Sequence, residues 1–361
     1  MRSLVVLSLS LLAACSGEPA APPAPPAAPT PPPAAPAGPD AAALQARAAA
    51  LFQPLPEHMG LGGQAPTPAL VTLGKQLYFE KRLSKNHDIS CNSCHDLAKF
   101  GVDGQPTSPG HKGQLGGRNS PTSLNAALHI AQFWDGRAAD VEAQAKGPVL
   151  NPIEMAMPDE KTVVAVLKSI PDYGPLFTAA FPDAKDPVTY DNMAAAIGAF
   201  ERTLVTPAPF DAFLKGDAKA LSDAQLTGLQ TFMDAGCTAC HNGVGVGGAG
   251  YFKVGLVVPY ETADEGRKAV TGQEADKFVF KAPSLRNIEK TAPYFHEGKV
   301  ATLDEAIRLM GKHQLGKDLK PEEVSQISAF LGALTGTVDP SWGTPPAELA
   351  AGPKTPAPDP S

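Results

Sequence analysis

Two five-residue stretches carry the most specific chemistry in the chain: Cys91-Asn92-Ser93-Cys94-His95 and Cys237-Thr238-Ala239-Cys240-His241. Each is the c-type haem attachment pattern, in which two thiols reach the two vinyl groups on one porphyrin edge and the adjoining imidazole ligates iron. A redox dithiol does not require a histidine after the second cysteine in both copies, and the strand–helix alternation of a thioredoxin-like fold is missing. A shared zinc site fails on spacing, because about 140 residues separate the pairs. The sequence therefore predicts two covalent haems, attached through Cys91, Cys94, Cys237 and Cys240, with His95 and His241 as proximal ligands.

The sixth position of each iron is less determined. Of eight histidines two are proximal, and after His241 the one remaining methionine is Met310. A thioether there raises a haem potential and suits it to accept electrons; His296 and His313 are its rivals. For the first haem the candidates are His87, His111 and His129. His111 stands in the Gly-rich run Pro109–Gly117, which gives an imidazole freedom to move.

The elements that must position these groups read as helices. Gln45–Phe52, Pro68–Phe79, Glu160–Leu167, Tyr190–Leu204, Ser222–Ala235, Leu303–Met310 and Pro321–Leu334 have helical length, with Ser222 and Thr302 as caps. Strand signals are few. The expected fold is all-α, two cytochrome c-like domains each with one covalent haem, with the boundary near Thr206-Pro207-Ala208-Pro209. Leu73–Phe79 precedes the first motif much as Gly228–Phe232 precedes the second, an internal repeat.

Composition bounds the rest. The 361 residues are 43% hydrophobic, enough for two modest cores, and 30 Lys and Arg against 37 Asp and Glu give a net charge of −7. No basic stretch with interleaved aromatics is present, so nucleic acid is an unfavoured partner. Residues 1–14 read as a signal peptide, and Leu12-Ala13-Ala14-Cys15 resembles a bacterial lipobox, implying export to the periplasm and a lipidated Cys15 that anchors the chain to a membrane. Residues 15–40 form a Pro/Ala-rich tether, residues 41–206 and 207–340 the two haem domains, and residues 341–361 a Pro-rich tail expected to be disordered.

From about Leu70 to Gly336 the chain resembles the bacterial di-haem cytochrome c peroxidases. The likeness rests on Ile89–His95, Gly117–Thr122, Ala131–Arg137, Ala199–Leu204, Pro283–Asn287 and Thr291–His296. It implies that residues 41–206 form a peroxidatic domain and residues 207–340 an electron-transfer domain. Hydrogen peroxide, two electrons and two protons then give two waters, with electrons from a small cytochrome c or a copper protein (cupredoxin). It places Met310 on the second iron and His111 as the resting cap of the first, departing when the other haem is reduced. Glu154 matches the catalytic carboxylate that moves a proton between the peroxide oxygens, Gln144 the distal amide, and Trp134 the tryptophan between the haems. Asn119, Thr291 and Pro293 match positions that bind calcium between the domains through one side-chain oxygen and two carbonyls. A homodimer is expected.

Two other readings compete. A non-catalytic electron carrier would leave Glu154 and the His111 loop without a purpose. The related di-haem enzymes that oxidise tryptophans on a partner protein carry a tyrosine where Met310 stands.

Overall fold

A computed structural model of the protein describes residues 5, 6, 8, 10 and 38–361, so the lipobox, Cys15 and most of the tether lie outside the described residues. Twelve helices are described: α1 Ala41–Ala49, α2 Pro68–Tyr78, α3 Cys91–Cys94, α4 Val141–Leu150, α5 Glu160–Ser169, α6 Tyr173–Ala180, α7 Tyr190–Glu201, α8 Pro209–Leu214, α9 Asp223–Ala235, α10 Lys268–Thr271, α11 Leu303–Leu315 and α12 Pro321–Gly332. The described strands are two three-residue pieces, β1 Tyr251–Lys253 and β2 Val279–Lys281, paired antiparallel. No described helix is long and apolar enough to cross a membrane.

The helices start and stop where local chemistry dictates. Thr67 accepts from Leu70 N with Pro68 in the first turn of α2, Ser222 and Gln225 form a reciprocal capping box on α9, and Thr302 caps α11. Gly236 and Gly316 end α9 and α11 in the left-handed conformation. The sequence reading ended the α11 helix at Met310; the helix continues to Leu315, so Met310 lies inside it.

Two cores repeat one design. In the first, α2 crosses α7, and Gly74 brings the backbones so close that a Cβ there would sit 1.9 Å from Ala196 O and 2.8 Å from Phe200 Cβ. In the second, α9 crosses α12, and a Cβ on Gly228 would sit 2.0 Å from Gln326 O and 2.9 Å from Phe330 Cβ. The repeated segment seen in the sequence is thus the same helix crossing made twice. Leu73, Leu77, Tyr78, Ile197 and Phe200 fill the first core, and Leu229, Phe232, Ile327, Phe330 and Leu331 the second.

The domain limits require two corrections. Residues 41–52, assigned from sequence to the first haem domain, pack in the second core: Leu44, Ala48 and Phe52 line one side of the segment and bury against the cluster of Phe210, Phe213 and Leu226. Residues 341–361, expected to be disordered, lie along the first domain instead. Trp342 and Leu349 pack on its core, the Ala347 and Leu349 carbonyls accept from Gln76 and Arg82, and Lys85 pairs with Asp359. Proline removes backbone donors but leaves carbonyls, which side chains of the first domain satisfy here.

Between the cores, Arg118 bonds Asp135 at 2.5 Å and Asp264 at 2.6 and 2.8 Å. Asn125 and Asn287, both in the left-handed conformation, each donate to the buried Thr206 hydroxyl at 2.7 and 2.9 Å. Residues 38–361 accordingly form one unit.

Candidate functional site

The first attachment motif forms the single turn of α3. Ser90 and Ser93 cap each other across it, and the Tyr78 hydroxyl donates to the His95 carbonyl at 2.8 Å. His95 Nδ1 lies 2.9 Å from Pro121 O. A carbonyl only accepts, so the ring proton sits on Nδ1 and the Nε2 lone pair is free for a metal, the orientation that haem ligation requires. Burial lowers the His95 pKa and pulls His241 down to about 4, keeping both rings neutral.

The thiols are unlike those of a redox dithiol. All four are free, none in a disulfide, and burial pushes Cys91 up to about 12 and Cys237 up to about 11. A catalytic dithiol needs a lowered pKa; these are apolar-pocket thiols suited to thioether bonds. Among the described residues no cluster of three His, Cys, Asp or Glu could hold a metal by itself.

The second motif forms a 3₁₀ turn, Cys237–Ala239, directly after α9. Cys237, Cys240, His241 and Met310 line one cavity whose walls include Phe232, Leu285, Ile307 and Leu331. Two thiols, an imidazole, a thioether and an apolar wall are the donor set of a Met/His-ligated haem. The rivals of Met310 are placed otherwise: His313 does not line this cavity but a separate one beside Tyr260 and Lys312, and His296 stacks on Phe280 with its Nε2 3.0 Å from the Thr262 hydroxyl.

On the first domain the Gly-rich segment is a folded loop rather than a slack one. Pro109 bridges Leu115, and Gly110 N donates to Gln114 O at 2.7 Å. Gly110 is needed for close docking, since a Cβ there would lie 2.0 Å from Ile153 O. His111 is buried, and its backbone N donates to Ile153 O and Glu154 O at 2.9 and 2.8 Å. Its Nε2 lies 3.4 Å from Ser361 O, so the final segment reaches the same loop.

Glu154 sits in the facing loop after α4. Asn151 Nδ2 donates to its Oε1 at 2.9 Å. Burial raises its pKa, opposed by the Arg137 charge and the Asn151 bond. Burial raises the pKa of the Cys94 thiol, and the charges of Asp103 and Glu154 add to it. Of the two apolar neighbours of Glu154 in sequence, Met155 is buried, whereas Ile153 is 39% exposed. Gln144 is half-buried on α4 and bonded to none of these groups.

The other histidines lie elsewhere. His87, half-buried, occupies a turn stapled by the Ser84 hydroxyl. His129 follows a 3₁₀ turn and meets Lys281 Nζ at 3.0 Å. Trp134 donates from its indole to Asn119 O at 2.9 Å, and its own carbonyl accepts from Lys281 N. Asn119, Thr291 and Pro293 line the same cavity as Trp134. Asn119 spends its amide nitrogen on Gln105 O, leaving Oδ1 as the acceptor, so the three supply oxygen donors of the kind a hard cation takes.

Sequence reading missed a second repeat here. Phe133 to Ala138 and Phe295 to Val300 fold alike: Gln132 bridges Ala138 and Tyr294 bridges Val300, with Phe133 and Phe295 both at positive φ. The common Phe-x-x-Gly spacing was the available signal. It sets Trp134 and His296 at matching places, edge to face at 6.3 Å.

Residues 68–219 match the di-haem cytochrome c peroxidase family. The chain is 51% identical over 297 residues to a cytochrome c551 peroxidase of Pseudomonas aeruginosa, covering 80% of this chain and 86% of that protein. It is 50% identical over 270 residues to a cytochrome c551 peroxidase of Nitrosomonas europaea, covering 74% and 80%. A crystal structure of a MauG-like protein associated with microbial copper homeostasis superposes with a TM-score of 0.68 at 28% identity, covering 84% of this chain and 97% of that one.

Proposed function

The chain belongs to the di-haem cytochrome c peroxidase family, and on that footing we propose that it reduces hydrogen peroxide to two waters with electrons from a small cytochrome c or cupredoxin. When bound, the two haems supply a peroxide-reactive iron at His95 and a one-electron relay at His241. The observation that carries the reading is the docking of the His111 loop onto the loop of the half-buried Glu154.

His95 donates from Nδ1 to Pro121 O and holds its ring in one orientation. His111 would cap the first haem in the resting protein, and its loop would then have to shift as a unit, because its backbone is tied to the Glu154 loop. Glu154, with its pKa raised by burial, takes a proton from one peroxide oxygen and returns it to the other. Asn151 fixes the carboxylate for that transfer, and Gln144 would offer an amide donor to the peroxide. Trp134 lines the cavity of the second attachment motif and would stand between the haems.

The same reading makes Asn119, Thr291 and Pro293 a calcium site with water completing the shell. It places a homodimeric enzyme in the periplasm, tethered by a lipidated Cys15. Steady-state peroxide turnover with reduced cytochrome c or cupredoxin, on protein shown by intact mass to carry two haems, tests it. Two haems with no peroxide-dependent oxidation of either donor would leave an electron carrier instead.

A further inference from the structure

Lys281 is 6% exposed, at the end of β2, and no described carboxylate pairs with it. Its Nζ lies 3.0 Å from His129 Nδ1. An ammonium only donates, so Nδ1 offers its lone pair and the His129 proton must sit on Nε2. That Nε2 is buried and has no hydrogen-bond partner. The pair thus holds one buried cation with no described anion and one buried N–H with no acceptor. A buried cation left without an anion is costly.

Both residues line the cavity that holds Cys237, Cys240, His241 and Met310. The thioether bonds fix one edge of a c-type haem, and the two carboxylates stand on the opposite edge. We propose that Lys281 and His129 bind a propionate carboxylate of the second haem, joining that haem to both domains at once. The inference rests on the haem reading above. His129 follows Ala126–Leu128 of the first domain, and Lys281 N donates to Trp134 O, so the carboxylate is clamped at the domain junction beside the tryptophan. The same tautomer excludes His129 as an iron ligand, because its Nε2 carries a proton rather than a lone pair.

The test compares Lys281→Met, Lys281→Arg and His129→Leu with the parent holoenzyme. Intact mass establishes two haems, a result that stands or falls with the haem reading alone. Spectroelectrochemical titration at fixed pH then gives both midpoint potentials, and redox-difference infrared spectra follow the carboxylate stretch. Removing the cation leaves the propionate charge uncompensated and favours ferric iron. The reduction equilibrium of the second haem should fall at least tenfold in Lys281→Met, about 59 mV, recover in Lys281→Arg, and be accompanied by a moved carboxylate band in Lys281→Met and His129→Leu. Unchanged potential and band in two-haem Lys281→Met overturn the proposal, as does a shift confined to the first haem or loss of an axial ligand signature in His129→Leu. Should Lys281→Met accumulate without haem, Lys281→Gln carries the same comparison.

Discussion

Replacing Glu154 by Gln removes the proton shuttle while keeping the shape of the loop. Asn151 Nδ2 can still donate to the amide oxygen where it now donates to Oε1 at 2.9 Å, and the His111 N bond to Glu154 O is a backbone bond that the substitution leaves alone. The loss is therefore the acid–base contribution itself, roughly 10²–10⁴-fold in turnover, or about 3–5 kcal/mol of transition-state stabilisation. The pH profile separates this from a packing defect. The carboxylate form takes the first proton, so turnover rises with pH through the Glu154 pKa, which burial holds above the ordinary carboxylate range. Asn151→Ala removes a bond that favours the charged form, so its acid limb moves to still higher pH and activity returns as pH rises; Glu154→Gln shows no such limb. The assay is stopped-flow peroxide turnover across pH with haem content and spectra matched to the parent. Turnover of Glu154→Gln within about threefold of the parent, against the 10²-fold minimum, would refute the reasoning.

Glu201 has its pKa raised to about 8 by burial, with the Glu142 charge adding. The folded state keeps this proton while the unfolded chain loses it near pH 4.5, so this group lowers stability by up to about 1.4 kcal/mol per pH unit between those values; Glu201→Gln should flatten that slope in urea unfolding from pH 5 to 8. Gly228→Ala places a Cβ 2.0 Å from Gln326 O and should cost about 1–3 kcal/mol by overpacking, read from chemical denaturation. Thorough chelation should lower turnover and calcium should restore it, and elemental analysis should find the metal; full activity in a calcium-free protein counts against the Asn119, Thr291 and Pro293 site.

The fold class was legible because helix period and caps are local properties, and Ser222 and Thr302 stand where the helices begin. The ends of the chain were not, because which core α1 or Trp342 joins is decided by contacts distant in sequence. The haem motifs were legible because their chemistry is confined to five consecutive residues. Lys281 went unremarked for the opposite reason: one lysine in a short strand carries no pattern, and only its burial beside His129 gives it meaning. The freedom attributed to Gly110 also had another cause, the near approach of Ile153 O.

The central claim is that reduction at His241 opens a peroxide site capped by His111. Anaerobic stopped-flow mixing of hydrogen peroxide with the fully oxidised and the half-reduced holoenzyme, in parent and His111→Gly protein, tests it most directly. A fast reaction is expected for the half-reduced parent and a slow one for the oxidised parent, with His111→Gly reacting fast in both states. Equal rates in the two states of the parent, or an oxidised His111→Gly as slow as the oxidised parent, would contradict it.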